Sequence, residues 1–354
     1  MKTFRVGIIG ATGTVGRKLI ELLADHPWFE ITYLCASERS AGKKLKELIP
    51  LSKREKKYET MLVHDLKTAF SDLPKRVDLV FCATNLSFHD TIAMETELAK
   101  SELVVVSNNS AHRFTPDVPM VIPEINPEHL EIIPYQRRRL NAKRGFIAVK
   151  SNCSVQSFLP AVTPLKKFGL EKVCVCTMQA ISGAGKTLSQ TPELQENLFP
   201  YIENEEEKLQ LEPLKILGKC KHGKILSAKR PLFSAQCMRV PVEHGHTAAV
   251  SIQFKRKPTK EEILSAWKNF RPITSLLSLP SAPERFISYF TDKDRPQPRL
   301  DCEKEGGMGV FVGNLREDTI FDYKFTGLSH NLIRGAAGGA VLLAELLAVK
   351  GYLD

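Results

Sequence analysis

The chain begins with the pattern that restricts its fold most: an apolar strand, a glycine-rich turn and an amphipathic helix. The apolar run Phe4–Ile9 has the length of a buried strand, and apolar residues recur at helical spacing over 15–23. Between them lie Gly10, Gly13 and Gly16, where glycine permits a tight turn and close approach of a pyrophosphate to the helix N-terminus. This order predicts a dinucleotide-binding unit. The predicted contacts in this turn are Gly10, Thr12, Gly13, Thr14 and Val15.

The end of the second predicted strand, FEITYLCAS, indicates which dinucleotide binds. NAD sites of this class place an acid there to bind the ribose 2′-hydroxyl. Here the strand ends in Cys35 and Ala36, and the hydroxyls of Ser37 and Ser40 with the guanidinium of Arg39 suit a 2′-phosphate. We therefore predict NADP(H) as the cofactor. Glu38, in the same segment, leaves the strictness of NADP over NAD open.

Two further apolar runs continue the alternation of strands and helices. They are VDLVFCAT (77–84) and LVVVSNNS (103–110), and each ends in small polar residues. Strands buried on both faces of a parallel sheet have this composition. We therefore predict an α/β fold with an N-terminal Rossmann-type, doubly wound parallel sheet, in an NADP-binding domain of residues 1–152.

The pattern changes after residue 171, where segments of alternating polarity are separated by polar or proline-rich connections. Examples are EKVCVCTMQA (171–180) and TIFDYKFTGLS (319–329). This alternation is typical of antiparallel strands. It predicts an α+β catalytic and dimerisation domain over 153–330 with a largely antiparallel sheet. A buried apolar helix, predicted from 331 to 349, would pack back on the first domain, so that 331–354 completes it.

Composition and charge fit a two-domain globular protein. The chain has 354 residues, 43% of them hydrophobic, and no apolar stretch long enough to span a bilayer. Its eight cysteines lie mostly in apolar runs, which favours reduced thiols and a cytoplasmic location. The net charge of +10 suits anionic ligands. The basic cluster 136–145 has no accompanying nucleic-acid motif, so we expect a solvated loop there, and neither a nucleic-acid nor a membrane partner.

Cys153, in VKSNCSVQSF, lies at the boundary between the two predicted domains. A single cysteine is most often core filler, but a thiolate is a good nucleophile when a helix N-terminus lowers its pKa or a base lies nearby. The apolar segment after Ser154 is a candidate helix, and His244 and His246 in HGH are candidate bases. A nucleotide domain, this cysteine and a later histidine together indicate hydride transfer through a thioester.

Several motifs along the chain occur in the order of a known family: GATGTVG, CASERSAGK, SNNSAHRFTPDVPMVIPEIN, SNCS, TMQAISGAG, PYIENEEEK, RVPVEHGHT and HNLIRGAAG. Together they resemble aspartate-semialdehyde dehydrogenase, in the branch typical of archaea and fungi, nearly from end to end. The resemblance implies NADPH-dependent reduction of L-4-aspartyl phosphate to L-aspartate 4-semialdehyde with release of phosphate, on the route to lysine, threonine and methionine. It also implies a homodimer or homotetramer.

The resemblance assigns catalytic roles to residues of this chain. Cys153 would be the nucleophile. His246 would take the thiol proton and later protonate or deprotonate the hemithioacetal oxygen. Gln179 would orient the reacting carbonyl. The remaining implied contacts are Asn152 to the substrate, and Ser182, Gly183 and Asn331 to the cofactor.

The resemblance also assigns substrate-binding residues. Arg239 would grip the substrate carboxylate with its bidentate guanidinium, and Arg113 would bind the phosphate. Glu205 and Lys208, three residues apart on a predicted helix, would hold the amino group and the phosphate, although Glu206 could replace Glu205. Each residue has a structural alternative, because the arginines could form surface ion pairs and the Glu–Lys pair an ordinary i,i+3 contact.

Other functions remain open at this point. Malonyl-CoA reductase uses the same thioester chemistry and also presents a carboxylate to Arg239, whereas the amino-binding Glu205 favours aspartyl phosphate. N-acetyl-glutamyl-phosphate reductase has a different cysteine motif. A non-catalytic NADP-binding redox sensor would not need Cys153, Gln179, Arg239 and His246 together.

Two local features complete the sequence-based predictions. Without a CxxC or HExxH spacing, neither His244 with His246 nor Cys174 with Cys176 predicts a metal site. After SGAG the chain continues as KTLSQTPEL, where the family usually has an aromatic residue and a proline or glycine. The loop beside the nicotinamide is therefore expected to differ, with Lys186 adding a charge.

Overall fold

The first sheet consists of six parallel strands in a computed structural model of the protein, which describes residues 3–66 and 70–354. These strands are β1 (Phe4–Ile9), β2 (Phe29–Ala36), β3 (Val63–Asp65), β4 (Leu79–Cys82), β5 (Val104–Ser107) and β6 (Phe146–Val149). Their order is β3-β2-β1-β4-β5-β6, so the strand order reverses between β1 and β4, as in doubly wound dinucleotide-binding sheets. The predicted Rossmann-type sheet is confirmed.

The longer helices are α1 (Thr14–Leu23), α2 (Phe88–Lys100), α3 (Ile133–Leu140), α4 (Glu205–Ile216), α5 (Lys260–Lys268) and α6 (Ala337–Val349). Shorter helices cover Leu45–Leu48, Leu73–Arg76, Leu159–Val162, Ile273–Leu276 and Pro298–Asp301. Helices α1 and α6 pack together on one face of the first sheet, in a core that includes Ile8, Phe81 and Val104. Helix α2 covers the other face with Val80 and Val105. Both faces are thus buried, which explains the continuous apolar runs.

The glycines of the first turn are required by close backbone contacts. Gly10 has φ +89°, and a Cβ atom there would lie 2.1 Å from the Ala83 carbonyl oxygen. A Cβ atom on Gly16 would lie 2.1 Å from the Gly10 carbonyl oxygen. Only glycine therefore lets β1 turn into α1 at this short distance from β4.

The second sheet contains strands of both directions. Its members are β7 (Leu170–Gln179), β10 (Leu232–Arg239), β11 (His246–Phe254), β12 (Ile287–Phe290), β13 (Val310–Glu317) and β14 (Tyr323–Ser329). A separate hairpin is made by β8 (Lys219–Lys221) and β9 (Lys224–Leu226). The order β10-β7-β11-β14-β13-β12 has three antiparallel pairs in its centre and a parallel pair at each edge. The predicted, largely antiparallel sheet is confirmed.

The C-terminal helix begins later than the sequence predicted. It was expected from residue 331, but α6 starts at Ala337. The His330 ring accepts hydrogen bonds from the Leu332 and Ile333 amides, and Ala336 has the non-helical angles φ −142° and ψ −99°. Residues 331–336 therefore form turns, and Asn331 lies before the helix and not within it.

The segment after Cys153 is helical only in short pieces. A 3₁₀ turn covers Ser154–Ser157, and Phe158 at φ −134° separates it from the single helical turn Leu159–Val162. Pro160 provides no amide for a longer ladder of hydrogen bonds. The predicted helix N-terminus beneath the thiol is therefore reduced to a 3₁₀ turn, whose macrodipole is correspondingly small.

The basic cluster at 136–145 was predicted to be a solvated loop, which was wrong for its first half, because that part belongs to α3. Its side chains are used within the fold: Arg139 pairs with Asp117, and Arg144 donates to the Leu353 carbonyl oxygen. In the described ranges, no helix combines the length and apolar character needed to cross a membrane.

Candidate active site

The strand ends of the second sheet meet the residues that follow β6. Cys153 comes shortly after β6, at the boundary of the two sheets. In the parallel pair of β7 and β10, Gln179 is opposite Arg239, so that both strands end together. His246 begins β11, which lies against β7. Cys153, Gln179, Arg239 and His246, to which the resemblance assigns roles, therefore lie together at one end of the second sheet.

Cys153 and His246 are in direct contact. The Cys153 Sγ atom lies 3.3 Å from His246 Nε2. The other ring nitrogen, Nδ1, accepts a hydrogen bond of 3.0 Å from the Ala180 amide. The imidazole is fully buried, whereas Cys153 is only partly buried. The ring is thus held by the Ala180 amide on one side and faces the Cys153 sulfur on the other.

The surroundings keep both groups uncharged before substrate binds. Burial, followed by the Glu205 carboxylate, raises the pKa of the Cys153 thiol, while the cations of Lys150 and Arg113 oppose this shift. Burial, followed by the Arg239 guanidinium, lowers the pKa of His246 to about 3. At neutral pH the site therefore presents a neutral imidazole beside the sulfur.

Glu205 connects the predicted substrate-binding residues. Its carboxylate accepts hydrogen bonds from Asn152 Nδ2 at 3.0 Å, Gln179 Nε2 at 3.3 Å and Lys208 Nζ at 2.9 Å. Burial opposes ionisation, but Lys208 and the amide donors keep the pKa of Glu205 below its usual value. Glu206 points elsewhere and accepts from the Cys237 amide. Of the two glutamates, Glu205 is therefore the one that contacts the other predicted substrate-binding residues.

Arg239 is held by one hydrogen bond from Nη1 to the Ala180 carbonyl oxygen, at 2.7 Å. Its guanidinium is buried next to His246 and Gly183. A Cβ atom on Gly183 would lie 3.0 Å from His246 Cε1 and 3.1 Å from Arg239 Nη1. Residue 183 must therefore be small for His246 and Arg239 to keep their positions.

Arg113 is largely engaged by the protein. It donates to the Lys150 carbonyl oxygen, to Glu212 at 2.8 Å and to the Asn108 carbonyl oxygen. Glu212 also accepts from the Asn152 amide at 2.6 Å. Arg113 thus fixes the turn that carries the nucleophile, in addition to lining the cavity beside it. Arg113 could therefore bind phosphate only through the guanidinium N–H groups that these three hydrogen bonds do not use.

Glu212 and Lys150 were missed from the sequence. Glu212 lies on the same face of α4 as Glu205 and Lys208, at i+7 and i+4, so its helical spacing was a usable signal. Lys150 is fully buried, and its ammonium group donates to the Ser151 carbonyl oxygen. The two residues between Lys150 and Cys153, Ser151 and Asn152, gave no reason to expect a buried cation at position 150.

A cavity of about 450 Å³ adjoins these residues. Its polar lining includes Arg113, Asn152, Lys208 and Ser110. It shares Asn108 and Asn109 with a second cavity, and so the two spaces meet at the end of β5. Basic and amide groups make the first cavity suitable for a small anionic substrate.

The second cavity, of about 670 Å³, lies at the carboxyl ends of the first sheet and fits a dinucleotide. Of the predicted cofactor residues, it is lined by Gly10, Thr12, Gly13, Thr14, Val15 and Ser37. Asn108 Nδ2, which is buried at its wall, has no hydrogen-bond partner in the described ranges and can donate to a ligand. Arg39 is exposed and Ser40 is buried, and neither lines this cavity.

The predicted nicotinamide contacts are tied to one another. Asn331 Nδ2 donates to Ser182 Oγ at 2.8 Å, and Asn331 Oδ1 accepts from the Gly245 amide at 2.9 Å. His244 Nδ1 lies 2.9 Å from the same Ser182 hydroxyl. The following loop reaches the cofactor cavity with Ala184 and Gly185, and Lys186 is exposed. The loop lies beside the start of α1, because a Cβ atom on Gly185 would lie 3.7 Å from Thr14 Oγ1.

A cluster of possible metal ligands lies outside the residues considered from the sequence. Ligand atoms of Cys302, Glu303 and His330 lie within 4.8 Å of one another. However, His330 Nδ1 accepts from backbone amides, so the hydrogen resides on Nε2, which lies 3.0 Å from Glu303. A metal-binding histidine normally donates through its second nitrogen, and therefore this cluster does not fit a metal ion.

Comparisons with known proteins agree with the two-sheet organisation. Residues 5–133 match the family model "Semialdehyde dehydrogenase, NAD binding domain", and residues 162–334 match "Semialdehyde dehydrogenase, dimerisation domain". An aspartate-semialdehyde dehydrogenase from Archaeoglobus fulgidus is 41% identical over 97% of this chain and 98% of its own length.

Solved structures of aspartate-semialdehyde dehydrogenases are also similar to this chain over nearly its full length. The Candida albicans aspartate-semialdehyde dehydrogenase with NADP has a TM-score of 0.86 and 36% identity, covering 99% of this chain and 100% of its own. An aspartate-semialdehyde dehydrogenase II from Vibrio cholerae, complexed with ASA, has a TM-score of 0.76 and 25% identity, covering 99% of both chains.

Proposed function

Because the chain belongs to the aspartate-semialdehyde dehydrogenase family, we propose that it reduces L-4-aspartyl phosphate to L-aspartate 4-semialdehyde and releases phosphate. This reaction belongs to amino-acid biosynthesis, toward lysine, threonine and methionine. The observation that carries the proposal is the 3.3 Å contact of Cys153 Sγ with His246 Nε2, beside two cavities that suit a small anion and a dinucleotide.

NADP(H) is the cofactor of this reaction, and its nicotinamide, when bound, supplies or accepts the hydride. The glycine turn between β1 and α1 would hold the pyrophosphate. Ser37 and Arg39 would hold the 2′-phosphate, which requires the exposed Arg39 side chain to fold over the cavity mouth, whereas Ser40 is buried outside this cavity and does not fit the contact expected of it. Ser182, Gly183 and Asn331 would position the nicotinamide next to Cys153.

The chemistry at Cys153 is acyl transfer. The sulfur of Cys153 would attack the acyl carbon of aspartyl phosphate and form a C–S bond, while phosphate leaves with the electron pair of the broken C–O bond and the thiol proton passes to the departing phosphate. The resulting thioester keeps the acyl group activated for reduction to the aldehyde. Gln179, which already faces the site through Glu205, would orient the carbonyl of this thioester.

The charges of the site match the substrate. Arg239 would bind the α-carboxylate and Glu205 the α-amino group, while Lys208 and Arg113 would bind the phosphate. Asn152 would contact the substrate through the amide that it now directs at Glu205. The ionised Glu205 favours an amino acid over malonyl-CoA, which has no amino group for it to bind.

We also propose that the protein forms a homodimer or homotetramer through its second sheet. The outward positions of β7 alternate with its buried ones and include the half-buried Cys174, Cys176 and Met178. A half-buried, weakly polar face of this kind suits contact with a second copy of the chain. Analytical ultracentrifugation would measure the mass, and a monomer would contradict the proposal.

Purified protein tests the proposed reaction directly. NADPH formation is measured with L-aspartate semialdehyde and NADP, with and without phosphate, and NADPH oxidation is measured with malonyl-CoA. Turnover that depends on the semialdehyde and on phosphate is expected. Turnover of malonyl-CoA alone would contradict the proposed substrate and indicate a malonyl-CoA reductase with the same thioester chemistry. Absence of turnover with both substrates would indicate a non-catalytic NADP-binding protein. Cys153→Ser should abolish turnover and leave NADP binding intact.

A further inference from the structure

The loop that follows β7 contributes to the walls of both cavities. Gly183 lines the cavity that suits the anion, while Ala184 and Gly185 line the one that suits the dinucleotide. Ser182 precedes them, is buried, and contacts side chains of two other segments. One segment lies before β11 and the other follows β14. The position of this loop therefore depends on the partners of Ser182.

The direction of each hydrogen bond to Ser182 follows from its neighbours. The Gly245 amide can only donate, so its 2.9 Å contact identifies the Asn331 acceptor as Oδ1. The Asn331 NH₂ group therefore faces Ser182 and donates to its Oγ atom at 2.8 Å. The single hydroxyl hydrogen of Ser182 is then free for His244 Nδ1, which lies 2.9 Å away. If His244 Nδ1 accepts this hydrogen, a neutral His244 carries its own on Nε2.

His244 is held in place by a second imidazole. Its ring stacks on that of His330, with 5.2 Å between the centroids and 24° between the planes. The His330 ring is fixed, because its Nδ1 atom accepts from the Leu332 and Ile333 amides and its Nε2 atom lies 3.0 Å from Glu303. Burial lowers the pKa of His330 to about 4, so this ring is uncharged at neutral pH. The stacked ring limits how far His244 can turn away from Ser182.

We propose that His244 is a positioning residue of the cofactor site, whose Nδ1 atom accepts the Ser182 hydroxyl hydrogen and leaves a lone pair of Ser182 Oγ for an N–H donor of the nicotinamide carboxamide. A hydroxyl oxygen has two lone pairs, and Asn331 uses the other one. The inference rests on the proposed function, in which Ser182 contacts the nicotinamide. It gives the two histidines of HGH different roles, because His246 contacts Cys153 whereas His244 contacts the loop beside the cofactor cavity.

Two substitutions at position 244 separate hydrogen-bond acceptance from the bulk of the ring. In His244→Asn, the side-chain oxygen occupies a δ position like that of Nδ1 and can accept from Ser182, whereas His244→Leu has no acceptor. A neutral hydrogen bond contributes about two- to tenfold to an equilibrium constant. Fluorescence titration should therefore give His244→Leu a Kd for NADPH higher by this factor, and His244→Asn a Kd near that of the wild type. An equal rise in both variants, or no rise in either, would overturn the acceptor role.

A change in the cofactor tests the direction of the contact with Ser182. In the 3-acetylpyridine analogue of NADP, a methyl group replaces the NH₂ of the carboxamide, so that no N–H donor remains. The wild-type protein should bind this analogue about two- to tenfold more weakly than NADP, as measured by competition with NADPH. His244→Leu should show a smaller difference, because the Ser182 hydrogen is no longer directed at residue 244. The same difference in both proteins would contradict the proposal.

A measurement on the cofactor-free protein needs no turnover. The ring correlations of ¹⁵N-labelled histidine distinguish the two neutral tautomers, and the His244 signals are those missing from His244→Asn. At about pH 8, where an ordinary histidine is neutral, we expect the hydrogen on Nε2. A hydrogen on Nδ1 would reverse the hydrogen bond to Ser182 and refute the inference.

Failure of the proposed function can be distinguished from failure of this inference. Protein that binds NADPH without phosphate-dependent turnover of the semialdehyde would refute the proposed function, while the tautomer and the Kd values would still test His244. Active protein whose Kd for NADPH is unaffected by His244→Leu would refute only the inference.

Discussion

Arg113 and Glu212 form a buried ion pair of 2.8 Å beneath the turn that carries the nucleophile. The second oxygen of Glu212 accepts the Asn152 amide at 2.6 Å, one residue before Cys153. One carboxylate therefore joins α4, the segment after β5 and the backbone of the catalytic turn. This ion pair was absent from the sequence-based site, yet it fixes the position of the sulfur.

Glu212→Gln should destabilise the protein. It leaves Arg113 buried without its counter-ion, and breaking a buried pair in this way costs about 3–5 kcal/mol. Denaturant unfolding would measure the free energy, and kcat should fall as well because the Cys153 turn loosens. Glu207→Gln, on the exposed side of the same helix, is the matched control. Equal stability of the two variants would contradict the role of the ion pair.

Lys150→Met should change how stability depends on pH. Burial lowers the pKa of Lys150 to about 7, whereas an unfolded lysine titrates near ~10.4. The unfolded chain then binds more protons than the folded protein between these values, so wild-type stability should rise with pH across that window. The variant should lack this rise, as measured by urea unfolding at several pH values. Lys166→Met, at an exposed lysine, should retain it.

The same variant should react more slowly with thiol reagents. Protonated Lys150, which persists up to a pH of about 7, opposes the raised pKa of Cys153, so its removal leaves fewer thiolates in that pH range. Alkylation by iodoacetamide should therefore be slower than in the wild type at a pH of about 7 and below, and the two rates should converge at higher pH. An unchanged profile would show that Lys150 does not act on the sulfur.

Gly183→Ala should impair catalysis and leave the cofactor cavity intact. The new methyl group would meet His246 at 3.0 Å and Arg239 at 3.1 Å. Small displacements of catalytic groups lower rates by up to about 100-fold, and we expect a loss of kcat/KM for the semialdehyde in this range. Because Gly183 is a predicted nicotinamide contact but does not line the dinucleotide cavity, fluorescence titration with NADPH should give a Kd that changes less than kcat/KM does. Full activity in this variant would mean that the two residues can shift without loss.

Arg39→Ala should weaken the preference for NADP over NAD. A hydrogen bond to a charged group contributes about 1.5–3 kcal/mol, so the ratio of kcat/KM for the two cofactors should fall by about 10- to 100-fold. The exposed Lys43 offers a control with the same charge, because Lys43→Ala changes net charge equally. If both variants lower the ratio alike, general electrostatic attraction and not a direct contact sets the preference.

The parts of the protein that depend on local sequence were predicted well. The turn from β1 into α1 follows from glycine spacing, and the strands follow from apolar and alternating runs, because these signals lie within a few residues of each other. The break in the helix after Cys153 also has a local signal in the sequence, which is Pro160.

Contacts between distant segments could not be predicted in the same way. The Ala180 amide reaches His246 Nδ1 through its backbone, and a backbone group carries no residue type that a sequence pattern could reveal. Helical spacing could mark the face of α4 that carries Glu212, but its contact with the Asn152 amide depends on how α4 packs beneath the turn. The roles that the resemblance assigned to Cys153, His246 and the substrate-binding residues remain predictions that the proposed variants test.

Helix α6 covers the same sheet face as α1, although the whole second sheet is made between β6 and α6. During synthesis on the ribosome, the nucleotide-binding strands therefore emerge long before one of the helices that shields them. Their exposed apolar face would be a binding site for chaperones until α6 docks.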